Sequence, residues 1–159
     1  MTESVVPTPS TRVAVEADLD VVQNLTASAT TSIADSRGGA LMLKRETPPP
    51  NDAELRLRLT NPNHRTLLGL LDDVPVGIAS AQRTDDLAMI ESLWVEPNAR
   101  SVGVGEALLN ALIDWARDQG CTSIDAYALP GERITKNFFE AAGMKARLLT
   151  VSRRLDESS

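Results

Sequence analysis

Between residues 65 and 95 apolar and small side chains gather into three short runs separated by acidic turns. Arg65-Thr66-Leu67-Leu68-Gly69-Leu70-Leu71 reads as a strand, Asp72-Asp73 as a hairpin turn, and residues 74–81 as the returning strand. Leu87–Val95 follows the turn at Thr84-Asp85-Asp86 and completes an antiparallel meander. The period then changes. Leu108, Leu112, Trp115 and Ala116 fall on one face of a helix of about four turns, and Gly120 supplies a left-handed stop. Residues 123–128 form another strand and Pro130-Gly131 a break. Residues 132–142 predict a second helix, striped by Ile134, Phe138 and Ala141 and ended by Gly143. Residues 144–154 predict a last strand.

The first third of the chain is patterned less sharply. Residues 1–10 carry two prolines and no periodicity, as expected of a flexible leader. Residues 11–15 are a short strand, and Asp18 precedes Leu19, Val22, Leu25, Ala29 and Ile33 at helical spacing. Gly38-Gly39 stops that helix. Ala40-Leu41-Met42-Leu43 fits either a strand or the lining of a loop. Pro48-Pro49-Pro50 breaks what precedes it, and Asn51 or Asp52 caps a short helix through Leu59. The order of elements predicts one mixed α/β domain over residues 11–155 with helices on both faces of a sheet, and residues 156–159 as a solvated tail.

Composition narrows the chemistry. At 159 residues with 42% hydrophobic and 24% charged side chains, the chain is an ordinary single globular domain. A formal net charge of −6 argues against a nucleic-acid partner. It agrees with a cationic small molecule or peptide, and equally with simple solubility. One cysteine, Cys121, excludes an internal disulfide and any cysteine-cluster metal site, and its place after Gly120 suggests a buried structural thiol. His64 is the only histidine; in Asn61-Pro62-Asn63-His64 it reads as a solvated turn residue. No apolar stretch reaches the ~20 residues that span a bilayer, so no membrane partner is expected. MTESVVPTPS lacks the features of a signal peptide, and a cytoplasmic location follows.

The stretch RSVGVGEALL, residues 100–109, carries the sharpest chemical signal. Gly-x-Gly at the mouth of a helix leaves backbone N–H groups bare toward an anion. A dinucleotide fingerprint would need a third Gly or Ala where Leu108 stands, and a strand running straight into Gly103, where Glu96-Pro97-Asn98-Ala99 intervenes. A phosphate loop of the Gly-Lys-Ser/Thr type is excluded because no such tripeptide follows. What fits is an anion cradled by the N–H groups of residues 102–106 at a helix N-terminus. At Gly103 and Gly105 a Cβ would block close approach or disfavour positive φ. Arg100 can reach a phosphate or brace the loop.

With these residues in view, VEPNARSVGVGEALLNALIDWA resembles the acyl-CoA-binding segment of the GNAT N-acetyltransferase superfamily, with Arg100, Gly103 and Gly105 at its signature positions. LLDDVPVGIASA resembles that family's second and third strands, and KNFFEAAGM its segment before the last strand. The resemblance covers residues 65–155 and extends to 11–60 by order of elements alone. It implies a mixed, mostly antiparallel central sheet of six to seven strands flanked by about four helices. It also implies acetyl-CoA as co-substrate, no metal, and an amine acceptor that attacks the thioester directly in a ternary complex.

By that resemblance Leu93, Trp94 and Val95 hold the pantetheine arm, with the strand around residues 124–128 parting from them. Ser101, Val102, Gly103, Val104, Gly105 and Glu106 cradle the pyrophosphate beside Arg100. Glu91 is the candidate base, and Glu96 is a surface residue. Asp125 and Tyr127 share a strand face near the cleft. Two positions depart from the family pattern: Phe139 stands where a proton-donating tyrosine is usual, and Glu132 where an asparagine is. Tyr127 can replace the missing donor, Asn137 and Phe139 can contact the cofactor, and Arg133 and Lys136 can meet a 3′-phosphate or be solvated. Acceptor selectivity is expected in residues 18–60, with Arg37-Gly38-Gly39-Ala40 and the proline loop bordering the cleft. The family's habit of pairing makes a homodimer a further expectation. The competing reading is a non-catalytic acyl-CoA sensor, favoured by Phe139.

Overall fold

The computed structural model describes residues 7–156, without the side chains of Arg133 and Ile134. Residues 1–6 of the expected leader, residues 157–159 of the tail, and the roles expected of the Arg133 and Ile134 side chains lie outside the described residues. Two compact units divide the chain, one ending at Tyr127 and the other beginning at Ala128.

The first unit holds one sheet with strands in chain order: β1 (Pro9–Val13), β2 (His64–Leu71), β3 (Val74–Thr84), β4 (Leu87–Val95) and β5 (Ser123–Ala126). Neighbours are antiparallel except β5, which runs parallel to β4. The meander forms as its alternation predicts. Asp72 and Asp73 both take positive φ, +49° and +67°, which is the backbone of a two-residue turn matched to the twist of the strands. β1 begins at Pro9, two residues before the start expected from the pattern.

Helices α1 (Leu19–Ala34), α2 (Gly39–Arg45), α3 (Asp52–Thr60) and α4 (Val104–Asp118) belong to the same unit. Of the two cap candidates for α3 it is Asn51 that acts: its side chain accepts the Glu54 N–H at 2.8 Å. The segment around Ala40-Leu41-Met42-Leu43 is helical, neither strand nor loop lining. Four apolar residues are too few for periodicity to decide, whereas Ala, Leu, Met, Lys and Arg in succession are strong helix formers. Gly38 turns the chain into α2 at φ +80°. A Cβ on Gly39 would lie 1.6 Å from the Ile33 carbonyl oxygen, so the close return from α1 requires glycine there.

Alternation along β2 and β3 separates two layers. α1 and α3 cover one face and α4 the other. Toward α1 and α3, Val22, Leu25, Leu55, Leu68, Leu70 and Ile78 form a buried cluster with Trp94 packed against it. Toward α4, Gly69 and Gly77 are register partners across β2 and β3. A Cβ on Gly69 would lie 2.6 Å from Val104 Cγ1 and 2.9 Å from Leu108 Cδ1; one on Gly77 would lie 3.2 Å from Leu108 Cδ1. This bare patch seats the first turns of α4, whose Leu108, Leu109 and Leu112 are at most 1% exposed.

At the other end of the sheet Asp18 ties β1 to α1. It accepts Arg12 Nη1 and Nη2 at 2.6 and 2.8 Å and the Val15 N–H at 2.9 Å. The Arg12 hydrogen bonds and then the Val15 N–H hold its carboxyl at about 2, below the ordinary 3.8.

The second unit contains α5 (Arg133–Ala141), closed by Gly143 at φ +86°. Within α5, Phe138 and Phe139 meet edge to face with centroids 5.5 Å apart. Residues 144–154 form no strand. Their apolar side chains do not alternate cleanly, no ladder of backbone bonds pairs them, and Leu148, Leu149 and Val151 are 77%, 74% and 86% exposed. The described sheet therefore has five strands, where six to seven were expected, and five α-helices accompany it, where about four were.

Gly69→Ala is expected to destabilise the fold by about 1–3 kcal/mol, through overpacking under α4, in chemical denaturation. Asp18→Asn is expected to cost about 1 kcal/mol at pH 7, since Arg12 is partly solvated. A carboxyl that ionises lower in the folded chain stabilises fully above its unfolded value. The difference between Asp18→Asn and the parent should therefore be constant above about pH 4 and vanish as the pH falls to about 2.

Candidate active site

Where β4 ends, the chain builds a short anchored loop. The Glu96 N–H bonds the Val76 carbonyl at 2.8 Å, and a 3-10 turn covers Pro97–Ala99. The Arg100 Nε donates to the Val95 carbonyl at 2.9 Å. Of its two expected roles, bracing the loop is the one this contact provides. Ser101 takes φ +68°, a left-handed conformation that costs a non-glycine residue energy, and Gly103 follows at φ +95° as the N-cap of α4.

The first bond into the body of α4 runs from the Ala107 N–H to the Gly103 carbonyl, 3.0 Å. Helix geometry then leaves the N–H groups of Gly103, Val104, Gly105 and Glu106 without a carbonyl inside the helix. Gly105 lies inside α4 with no positive φ, so its value is a bare surface at the helix mouth. Four converging donors and the positive end of the helix dipole fit a pyrophosphate. The Glu106 carboxylate, exposed in the first turn, is the one charge there that would repel it.

Beside this cradle the edge of β4 lies open. β5 pairs with β4 only along Leu87–Ile90, through Ser123–Ala126, and then ends. Among the described residues no strand pairs with residues 91–95 on that side, so the backbone edge along Leu93, Trp94 and Val95 is unpaired. The Val95 carbonyl is already taken by Arg100. The Trp94 side chain packs against the α1–α3 core, and its indole N–H is buried without an acceptor.

A bulge aims the candidate base. Strict alternation would place Glu91 on the face opposite Trp94, three residues on. The β3–β4 register jumps from Ser80↔Ser92 to Ala81↔Ile90, so Glu91 is the extra residue. Glu91 and Ser92 therefore both line a pocket of about 360 Å3 on the α1–α3 side of the sheet. Its floor is a polar row given by the register: Thr66 opposite Ser80, Ser80 opposite Ser92, and His64 opposite Gln82. Val22, Ala29, Ile33, Leu43 and the three prolines Pro48-Pro49-Pro50 supply apolar walls, with Glu46 among them. Arg37-Gly38-Gly39-Ala40 does not line this pocket. Tyr127, one residue past β5 and 43% exposed, does.

Glu91 is not alone. Its Oε2 lies 3.0 Å from Arg58 Nη1 on α3 and 3.6 Å from His64 Nε2 on β2. Burial opposes the charge on Glu91, but the neighbouring imidazole and guanidinium outweigh it and hold the carboxyl below its usual range. His64 is no solvated turn residue, since its side chain is 2% exposed. The Asn61-Pro62-Asn63 turn ends one residue earlier, and His64 opens β2 with its side chain pointed inward. Arg58 drew no attention in the sequence because an arginine on a short helix is normally solvated. Its spacing of three from Leu55, the buried residue of α3, was the available signal.

Asn137 is exposed and Phe139 packs on Phe138, both on α5 of the second unit. Cys121, expected to be buried, is partly exposed; its N–H returns to the Ala116 carbonyl at 2.9 Å. Among the described residues no group of three or more His, Cys, Asp or Glu is placed to hold a metal ion, and no helix is long and apolar enough to cross a membrane.

The model of the acetyltransferase (GNAT) family matches residues 33–144. Solved structures share the fold. The aminoglycoside N-acetyltransferase AAC(6')-Iy in complex with CoA superposes with a TM-score of 0.70 at 16% identity, over 94% of this chain and 96% of that one. The PaiA N-acetyltransferase from Thermoplasma acidophilum, in complex with coenzyme A, gives 0.73 at 14% identity over 88% and 91%. An aminoglycoside acetyltransferase, meta-AAC0020, from an uncultured soil metagenomic sample in complex with sisomicin, gives 0.67 at 17% over 93% and 97%.

Arg100→Ala is expected to leave the core intact and free the loop before α4. Titration calorimetry should show acetyl-CoA affinity falling about 10- to 150-fold, the equivalent of one lost charged hydrogen bond.

Proposed function

The chain belongs to the acetyltransferase (GNAT) family and is an acetyl-CoA-dependent acyltransferase, and we propose that it acetylates a primary amine by direct attack in a ternary complex. The observation that carries the choice of acceptor is the pocket of about 360 Å3 that ends at Glu91 beside the open edge of β4. There a half-buried carboxylate borders both a cavity and an unpaired strand edge.

When bound, acetyl-CoA supplies an activated acyl carbonyl. The residues of this chain do the rest. The N–H groups of Gly103–Glu106 bind the pyrophosphate, and the free edge along residues 93–95 orients the pantetheine. An amine enters as an ammonium ion, which cannot attack until it loses a proton. Glu91 remains ionised through the neutral range, attracts the cation, and accepts its proton. Arg58 weakens it as a base while fixing its position, a geometry suited to transfer through an intervening water. Tyr127 offers a hydroxyl at the pocket rim for the departing thiolate.

Charge also bears on the acceptor. AAC(6')-Iy and meta-AAC0020 are aminoglycoside acetyltransferases, and aminoglycosides carry several ammonium groups. Glu46 and Glu91 are the two carboxylates lining this pocket, and Arg58 neutralises one of them. A compact acceptor with a single amine suits that balance better than a polycation.

Thiol release from acetyl-CoA should be measured against a panel of monoamines, amino-acid amides, polyamines and aminoglycosides. Turnover with at least one monoamine is expected. Tight binding of acetyl-CoA with no release on any amine would overturn the proposal and leave the sensor reading. Glu91→Gln should lower kcat by about 100-fold or more with little change in KM for acetyl-CoA.

A further inference from the structure

Among the described residues of the first unit, His64 alone has two buried side-chain atoms without a hydrogen-bond partner. Its ring is buried, yet neither Nδ1 nor Nε2 has a hydrogen-bond partner. Buried polar atoms are seldom left so unless a water or a function claims them. The ring also sits in a wall. A second cavity, of about 200 Å3, opens among the end of β1, the end of α3 and the turn into β2. Arg58, His64 and Thr66 line both this cavity and the acceptor pocket.

We propose that His64 is a proton-transfer residue that takes the acceptor's proton from Glu91 and passes it to water in the second cavity. This rests on the acetyl-transfer function above. The geometry supplies both ends of the path. Nε2 lies 3.6 Å from Glu91 Oε2, so a small rotation of either side chain makes a hydrogen bond. Nδ1 leaves the ring in a diverging direction, and in a neutral imidazole one nitrogen donates while the other accepts.

The proton count closes. The acceptor ammonium gives its proton to the Glu91 carboxylate, and the resulting O–H gives it to Nε2. The proton on Nδ1 then departs to cavity water as the N–H bond pair returns to the ring. Once the product has left, Nε2 gives its proton to water entering the emptied pocket and Nδ1 takes one from water in the second cavity, which restores the starting tautomer.

The charged groups around the ring give this route a direction. Glu91 faces it from β4, and Arg58 stands beside Glu91 from α3. Arg65, the next residue of β2, is turned to the opposite face, where its guanidinium lies 5.9 Å from the Trp115 ring centroid. A carboxylate held against a guanidinium does not retain a proton, so whatever it receives must move on. The pocket itself is filled by the acceptor at that moment, and His64 is the polar group that leads elsewhere.

His64→Gln keeps polarity and approximate size but cannot carry a proton through. Its kcat is expected to fall about tenfold or more, with KM for acetyl-CoA within twofold and a larger D2O effect on kcat. Added imidazole should restore part of the kcat of His64→Ala. A His64→Gln kcat within twofold of the parent would overturn the proposal. Because the chain has one histidine, 15N-histidine labelling of the parent protein reads the same ring directly by NMR. Ring N–H protons that exchange with water within seconds are expected, and a ring N–H protected for hours would overturn the relay. The exchange measurement decides the matter where a variant fails to fold. If the parent protein turns over no amine, the acetyl-transfer proposal fails, and ring exchange still judges the proton path by itself.

Discussion

Two bare backbones lie under the opening turns of α4, and the position of the anion cradle depends on them. Gly69 and Gly77 face each other across β2 and β3 and leave no Cβ where Val104 and Leu108 descend onto the sheet. Apolar burial alone would hold α4 against the strands along its whole length, but with freedom to slide. Close packing at the glycine pair fixes how near the N-terminus of the helix comes to the sheet. The same residues that anchor the helix, Val104 and Leu108, stand within one turn of the N–H groups offered to a ligand. A fold contact and the bare N–H groups of the helix mouth thus share one rigid element, and the Arg100 bond to Val95 ties the connecting loop to the end of β4.

The other face of the sheet changes from apolar to polar along its own strands. Its upper rows, Leu68, Ile78 and Trp94, are apolar and packed. Its lower rows, Thr66, Ser80 and Ser92 and then His64 and Gln82, are polar along the same strands. No change of fold separates core from pocket; only side-chain identity along one register does. The bulge at Glu91 adds a carboxylate to that polar surface without breaking the strand. Burying it would be costly unless a cation came with it, and Arg58 arrives from α3. Backbone strain gathers in the loop between β4 and α4, where Ser101 takes a left-handed conformation two residues before Gly103. Local rules of stability are broken in this chain at the bulge of β4 and in the loop before α4.

Much of this was legible in the amino-acid order. The meander showed in its two-residue alternation, α4 in its four-residue spacing, and the left-handed turn into α4 in Gly103, because each depends on local backbone and pattern. The bulge was not legible, since a register slip depends on the partner strand, and with it went the facing of Glu91. His64 looked like a turn residue from its neighbours Asn61, Pro62 and Asn63, because nothing local says that the strand begins at position 64 and points the ring inward. Arg58 needed the tertiary pairing with Glu91 to be seen at all. Residues 40–43 and 144–154 misled for the same reason. A short apolar run takes its conformation from what it can pair or pack with, and α2 had helix formers where the last segment had no ladder.

The shortness of β5 brings these constraints together. Four residues pair with β4 and then stop, so the edge of β4 that carries Leu93, Trp94 and Val95 is left unpaired inside a folded protein. An exposed strand edge is ordinarily a liability for aggregation. Here it is kept short by the bulge at Glu91 on one side and by the loop anchored through Arg100 on the other. An extended chain with amide groups, entering at the cradle of α4, would meet that edge in register and arrive beside Glu91. The two irregularities that bound this unpaired edge therefore also set its length, and Glu91, half-buried, stands at one end of it.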